Sequence, residues 1–255
     1  MLMNEGILLV LLGLFVLCAY VFHKVRRVHL MQYDLKNEIE NSIPKMLNST
    51  YNQIQAFIVL DRLLELPKAL PPLRGWAASP DFLLVITEFA LQNIPEVIVE
   101  CSSGASTIVL AQCAKHNGEG HVYSLEHDPI FAEKTRNELK KQALNQWATV
   151  IDAPLKNYEL EGQNYQWYSL DEPMINKKID MIVVDGPPAF VNQCARYPAG
   201  PLLLPLLKMN GVVFLDDANR SDEQIIINKW LTEFPELKKQ SFTCEKGAVA
   251  LFNLS

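Results

Sequence analysis

Val97-Ile98-Val99-Glu100-Cys101-Ser102-Ser103-Gly104-Ala105-Ser106-Thr107 is the stretch that decides the fold class of this chain. An apolar run ends in a carboxylate, a turn of small residues follows, and an apolar stretch of helical character begins at once. That order describes a buried parallel strand feeding a helix. A turn of serine and glycine lets backbone N–H groups and a helix N-terminus come close to a ligand. A second strand, His121–Leu125, ends at Glu126, 22 residues after Gly104. An acidic residue about that far beyond a glycine turn grips the hydroxyls of a ribose. Together the two strand ends describe a nucleoside site at the open edge of an α/β sheet.

What is missing narrows the nucleoside. A dinucleotide fingerprint needs three glycines as G-x-G-x-x-G, and only Gly104 is present; no P-loop lysine follows the turn. Glu100 would repel a phosphate and suit a cation or an ammonium group. S-adenosylmethionine offers a ribose and a positively charged methionine end. At these residues the chain resembles the class I S-adenosylmethionine-dependent methyltransferases, and among them a subgroup of small O-methyltransferase-like domains whose first motif reads Glu-x-x-x-Gly-x-Ser-Thr, here Glu100 to Thr107. The resemblance covers roughly Leu73 to Leu254. It implies a Rossmann-like seven-stranded sheet of order 3-2-1-4-5-7-6, its last strand antiparallel, with helices on both faces. It also implies cosubstrate contacts from Glu100, Ser102, Gly104, Ser106, Thr107, Glu126, His127, Asp152, Ala153 and Asp185. A segment such as Arg74-Gly75-Trp76 closes over the cosubstrate in resembled proteins.

The rest of the domain reads consistently. Helices are expected over Asp81–Gln92, Ser106–Lys115, Pro129–Ala143 and Asp222–Phe234, and strands over Val97–Cys101, His121–Leu125, Ala148–Ile151, Ile179–Val184 and Gly211–Leu215. Such alternation gives a parallel sheet with right-handed crossovers. Lys239–Cys244 and Ala248–Asn253 flank Glu245-Lys246-Gly247 and read as a closing antiparallel hairpin. Functional groups then gather at the strand carboxyl ends, where Glu100, Glu126, Asp152, Asp185, Asp216 and Asp217 fall. Asp152 before Ala153-Pro154 is either an adenine contact or an ordinary turn former. Trp167 and Tyr168 read as part of a loop-like insertion.

Ahead of this domain lies a different kind of segment. Gly6–Phe22 is uncharged and almost wholly apolar, at the short end of the ~17–25 residues that span a bilayer. Glu5 precedes it and Lys24, Arg26 and Arg27 follow, a charge order unlike a secretory signal. The positive-inside rule then puts the C-terminal side in the cytoplasm. Residues 1–27 are expected as a transmembrane anchor with its basic flank, 28–72 as a helical stalk and linker, and 73–255 as the catalytic domain. Pro44 should kink or split the stalk helix. The stalk either packs on the domain or on itself, or serves as a dimerising seam.

Composition excludes several classes. Net charge is −6 and no long basic run follows Lys24–Arg27, which argues against nucleic acid as partner. Five cysteines without a CxxC pair suit a reduced compartment, and the five histidines lack metal-ligand spacing.

Asp185, Asp216 and Asp217 come from adjacent strand ends, with no lysine or histidine beside them in the chain. Unpaired, three carboxylates would repel and one would protonate. A hard cation such as Mg²⁺ relieves this with oxygen ligands and lowers the pKa of a bound hydroxyl. Resembled metal-dependent O-methyltransferases carry acids at these positions, so Asp185 and Asp216 are the candidate catalytic residues and all three the candidate metal ligands. Asp217 as a turn cap, and Asp216 paired with Arg196 or Arg220, is the structural alternative. Arg196 and Arg220 either line an acceptor mouth or bridge these acids. His127 reads as a cosubstrate-side residue. The expected function is O-methylation of a small-molecule or glycan hydroxyl. A non-catalytic scaffold on the same fold and an aminopropyltransferase-like enzyme stay open as other classes.

Overall fold

The computed structural model describes residues 2–73, 75–170 and 178–254. Two compact units divide the chain, residues 1–51 and residues 52–255. Helix α1 (Leu2–Leu64) supplies the described residues of the first unit and runs on into the second. In the first unit the apolar side chains from Ile7 to Phe22 are all exposed. An 18-residue window of this helix reaches a mean hydropathy of 2.5 with no part buried, so its length and composition suffice to cross a bilayer. Pro44 does not split α1 as expected. The missing N–H strands the carbonyl of Glu40, which is exposed and open to solvent, so the helix continues at the cost of one bond.

The second unit begins at Asn52. Leu60 and Leu64, on the last turns of α1, are fully buried with Phe82, Leu83 and Ile86 of α2 (Pro80–Asn93). Pro80 at the first turn of α2 suits a position whose N–H has no helical partner. The sheet follows: β1 (Val97–Cys101), α3 (Ala105–Asn117), β2 (His121–Glu126), α4 (Pro129–Lys141) and β3 (Ala148–Asp152). A separate hairpin of β4 (Leu155–Leu160) and β5 (Gln163–Tyr168) precedes β6 (Ile179–Val184) and α5 (Ala199–Leu203). Then come β7 (Leu207–Asp216), α6 (Ser221–Glu233), β8 (Leu237–Phe242) and β9 (Ala248–Asn253).

Strand order is β3-β2-β1-β6-β7-β9-β8. With the inserted hairpin set aside, this is the expected 3-2-1-4-5-7-6. Strands β3, β2, β1, β6 and β7 are parallel, and β9 runs antiparallel between β7 and β8. Both faces are buried. Val99 and Cys101 pack into one core layer with Ile182, Val184 and Leu215, while Ile98 packs into the other with Met181, Val183 and Phe214. That period of two with apolar residues on each face is what helices on both sides of a parallel sheet require.

Two expectations change. The segment holding Trp167 and Tyr168 is not a loop: both close β5 and are fully buried. Glu161 and Gly162 at the hairpin tip have φ of 49° and 72°, the pair of positive values of a two-residue turn that matches strand twist. Strand β7 also starts earlier than Gly211. Its pairing with β6 slips between Ile179↔Leu207 and Met181↔Val212, and Asn210 at the irregularity takes φ 63°.

Candidate active site

The turn between β1 and α3 is held from below and from the side. Ser102 has φ 108°, a strained value for a residue with a side chain. Its N–H donates to Leu125 O at 2.9 Å, and its carbonyl accepts from Ser124 Oγ at 2.6 Å. Glu126, at the end of β2, reaches across to the same turn. Its Oε2 accepts from both Ser103 N and Ser103 Oγ at 2.9 Å, and its Oε1 from Asp128 N at 3.0 Å. His127 Nδ1 lies 3.1 Å from Oε1. Burial works to raise the Glu126 pKa, but the bonds from His127, Asp128 and Ser103 outweigh it and hold the carboxyl below its ordinary value. Glu126 is therefore an ionised, fixed carboxylate. Asp128 next to it caps α4, accepting from Ile130 N and Phe131 N.

A cavity of about 710 Å³ opens in front of this turn. Ser102, Gly104, Glu126, His127, Asp185 and Asp217 stand in its wall, so β1, β2, β6 and β7 all present their carboxyl ends to one space. A Cβ at Gly104 would meet no protein atom within 4 Å, which leaves room at the wall for a ligand to approach the backbone. A Cβ at Gly186, by contrast, would collide with the Tyr168 hydroxyl. The β4–β5 hairpin thus sets the floor behind β6.

Beside the cavity, Asp185, Asp216 and Asp217 bring carboxylate oxygens within 4.8 Å of one another. Arg196 is the hub that holds them. Its Nη1 donates to Asp216 O at 2.9 Å, and its Nη2 lies 2.8 Å from Asp185 O, 3.3 Å from Asp185 Oδ1 and 2.8 Å from Asp217 Oδ2. Arg220 Nη1 reaches Asp217 Oδ2 at 2.9 Å, and Lys246 Nζ stands 3.9 Å from Asp217 Oδ1. Burial opposes the charge of Arg196, but Asp185, Asp217 and Glu223 around it keep it firmly protonated. Burial raises the Asp185 pKa against the pull of Arg196. Burial and then repulsion from Asp185 and Asp217 raise that of Asp216. Asp216 Oδ1 accepts from Asp217 N at 2.7 Å, while its Oδ2 is buried with no hydrogen-bond partner.

Residues 99–218 match the model of a family described as a methyltransferase domain. The sheet has the Rossmann-like methyltransferase fold. None of the curated proteins matches the chain by sequence. Solved structures share the fold. An O-methyltransferase from Bacillus cereus in complex with S-adenosylhomocysteine is 16% identical, with a TM-score of 0.53 over 79% of this chain and 90% of that one. The O-methyltransferase TomG from Streptomyces achromogenes, involved in tomaymycin synthesis and solved with S-adenosylmethionine, is 16% identical with a TM-score of 0.52, over 79% and 89%. A Staphylococcus aureus protein provisionally assigned as a caffeoyl-CoA O-methyltransferase is 20% identical with a TM-score of 0.54, over 81% and 99%. Identities this low establish the fold and nothing finer.

Within this fold the expected site residues separate into two sets. Ser102, Gly104, Glu126, His127, Asp185 and Asp217 line the cavity, whereas Glu100, Ser106, Thr107, Asp152, Ala153 and Asp216 do not. Glu100 is fully buried under α3, where Thr107 Oγ1 donates to its Oε2 at 2.6 Å and in turn accepts from Gly104 N at 3.0 Å. Its carboxyl is spent on shaping the turn. Burial pushes its pKa up to about 7, against hydrogen bonds from Ser106, Thr107 and Ser124. Asp152 points to Arg136 Nη2 at 2.8 Å with its side chain 64% exposed, and Ala153 is buried, its N–H donating to Glu126 O. Of the two alternatives for Arg196 and Arg220, the structure shows both bridging the acids, Arg196 to Asp185 and Asp217 and Arg220 to Asp217, with Lys246 near Asp217 from a distant loop. Arg74, expected at the closing segment, lies outside the described residues; Gly75 and Trp76 stand at the cavity. Ser103, absent from the expected contacts although it sits inside the diagnostic stretch, is the residue that grips Glu126.

Proposed function

We propose that this chain is a membrane-anchored, S-adenosylmethionine-dependent O-methyltransferase acting on a hydroxyl of a small-molecule or glycan acceptor. The observation that carries the reading is Glu126, an ionised carboxylate locked at the wall of the cavity beside the Ser102–Gly104 turn. Ser103 Oγ, which also lies 3.1 Å from Thr135 Oγ1, can turn to that partner and free an acceptor site on Glu126 for a ribose hydroxyl. Asp185 at the same wall orients the acceptor hydroxyl and takes its proton as the oxygen bonds to the methyl carbon and the carbon–sulfur bond breaks, its electron pair staying on the sulfur of S-adenosylhomocysteine, which leaves. Alignment and exclusion of water supply most of the rate.

A divalent cation fits the acids. Asp216 Oδ2 and Asp217 Oδ1 are buried without hydrogen-bond partners, and hard cations take such oxygens. Asp185, Asp216 and Asp217 would hold it, and when bound it would favour the deprotonated acceptor. The anchor is supported by Gly6–Phe22 with Lys24, Arg26 and Arg27 behind it, a charge order that favours a cytoplasmic domain. Calorimetry with S-adenosylmethionine and with S-adenosylhomocysteine tests the reading. Binding of both is expected, and binding of neither by a folded chain would overturn it.

A further inference from the structure

The mouth of the cavity has a composition the transfer chemistry does not require. Apart from Pro72 and Gly75, the lining residues exposed to solvent are three aromatic rings, Trp76, Phe131 and Phe190, and three cations, Lys134, Lys141 and Arg220. No acid among the described lining residues is exposed, although the chain as a whole carries −6; Lys141 pairs with the half-buried Glu138 at 3.1 Å and Arg220 with the buried Asp217 at 2.9 Å, so both acids lie beneath the cations that face solvent. Trp76 and Phe190 are 72% and 76% exposed and meet edge to face at 6.1 Å. Ile130, beside Phe131 at the start of α4, is 77% exposed. Three separate segments therefore bring large apolar groups out of the protein at one opening. Aromatic rings interleaved with lysine and arginine are the composition that seats a surface at the headgroup boundary of a lipid bilayer. Each cation near an anionic leaflet adds attraction that fades within a Debye length.

We propose that the rim of this cavity docks on an anionic bilayer surface, with Trp76, Phe131 and Phe190 entering the headgroup layer and Lys134, Lys141 and Arg220 facing its phosphates. The inference rests on the anchored reading above only for bringing the domain to a membrane.

Full-length protein in vesicles of phosphatidylcholine and phosphatidylglycerol, with acyl chains brominated near the headgroup, tests it by tryptophan quenching. Of the four tryptophans, Trp167 and Trp230 are fully buried, Trp147 is half-buried and Trp76 is exposed, so Trp76 should carry the signal. The fractional loss of fluorescence should be at least twice that of Trp76→Phe, and it should shrink when phosphatidylglycerol is left out. Adding Phe190→Trp to the Trp76→Phe chain should restore the loss, and Phe190→Trp alone should increase it should the double variant fail to fold. Equal quenching of the wild-type chain and Trp76→Phe, with no gain from Phe190→Trp, would overturn the proposal. Titrating S-adenosylmethionine into the same vesicles separates the two readings: binding without quenching removes the docking surface alone, and quenching without binding removes the cosubstrate alone.

Discussion

Replacing Glu100 by Gln separates a structural carboxyl from a ligand-binding one. In the folded chain its pKa is about 7 against an ordinary 4.5, so the native state keeps a proton that the unfolded state has released. The sign follows from that difference. Stability from this group is full below pH 4.5, falls as pH rises from there, and levels off above about pH 7. At 1.36 kcal/mol per pKa unit the loss at alkaline pH comes to about 3 kcal/mol, and most of it develops between about pH 5 and pH 8. Gln is isosteric and still accepts from Thr107 Oγ1, but it cannot ionise. Urea titration in mild detergent should show Glu100→Gln more stable than the wild-type chain at pH 8 by about 2–3 kcal/mol, with the gap nearly closed at pH 5. Affinity for S-adenosylmethionine should change little, since Glu100 lies behind the turn and not at the cavity wall. Stability curves that run parallel across this range would refute the buried-carboxyl argument. A large loss of affinity would return Glu100 to the ligand's ammonium group.

Glu126→Ala removes the ribose acceptor and the bonds that hold Ser103, and should cost about 1–3 kcal/mol of cosubstrate affinity by calorimetry. Asp216→Asn should lower turnover strongly while leaving the cosubstrate KM nearly unchanged, because the turn and Glu126 lie on other strands; activity that survives thorough chelation would remove the metal and leave Asp216 a structural role. Burial raises the Asp185 pKa, so a proton-accepting Asp185 places the acid limb of kcat/KM above the ordinary carboxylate range, and a profile falling only near pH 4 would exclude it as base. Protease treatment of sealed inside-out vesicles should digest the domain after Lys24–Arg27, whereas protection there would reverse the topology.

The fold was legible where apolar strands end in acids. Val97–Cys101, His121–Leu125 and Ile179–Val184 announce themselves because most of their positions on both faces are apolar, with a single acid or a few polar residues among them. The β4–β5 hairpin was not legible for the converse reason. Leu155-Lys156-Asn157-Tyr158-Glu159-Leu160 is mostly polar, and its Glu161-Gly162 tip lacks the usual Asn or Asp signal. The start of the second unit at Asn52 was hidden too, since the apolar residues of α1 that are buried and those that are exposed share one helical pattern. For the site, strand-end position identified the acids but not their direction. Glu100 lies level with Ser124, two residues short of Glu126 on the neighbouring strand, and it turns under α3 whereas Glu126 meets N–H donors at the cavity.

Arg196 shows why that direction could not be read along the chain. Its guanidinium ties two backbone carbonyls and two carboxylates from β6 and β7, and only a planar fork of donors can do so at once. The position of Asp185 and the position of Asp217 are thereby set by a residue from the crossover between them, which no local pattern marks. The same fork leaves Asp216 as the one acid of the three whose side chain no cation touches among the described contacts. Its carboxyl therefore protonates most readily, and it has the most to gain from an added positive charge. An arginine that neutralises two acids and withholds its charge from the third leaves Asp216 as the carboxylate that the proposed cation would have to neutralise.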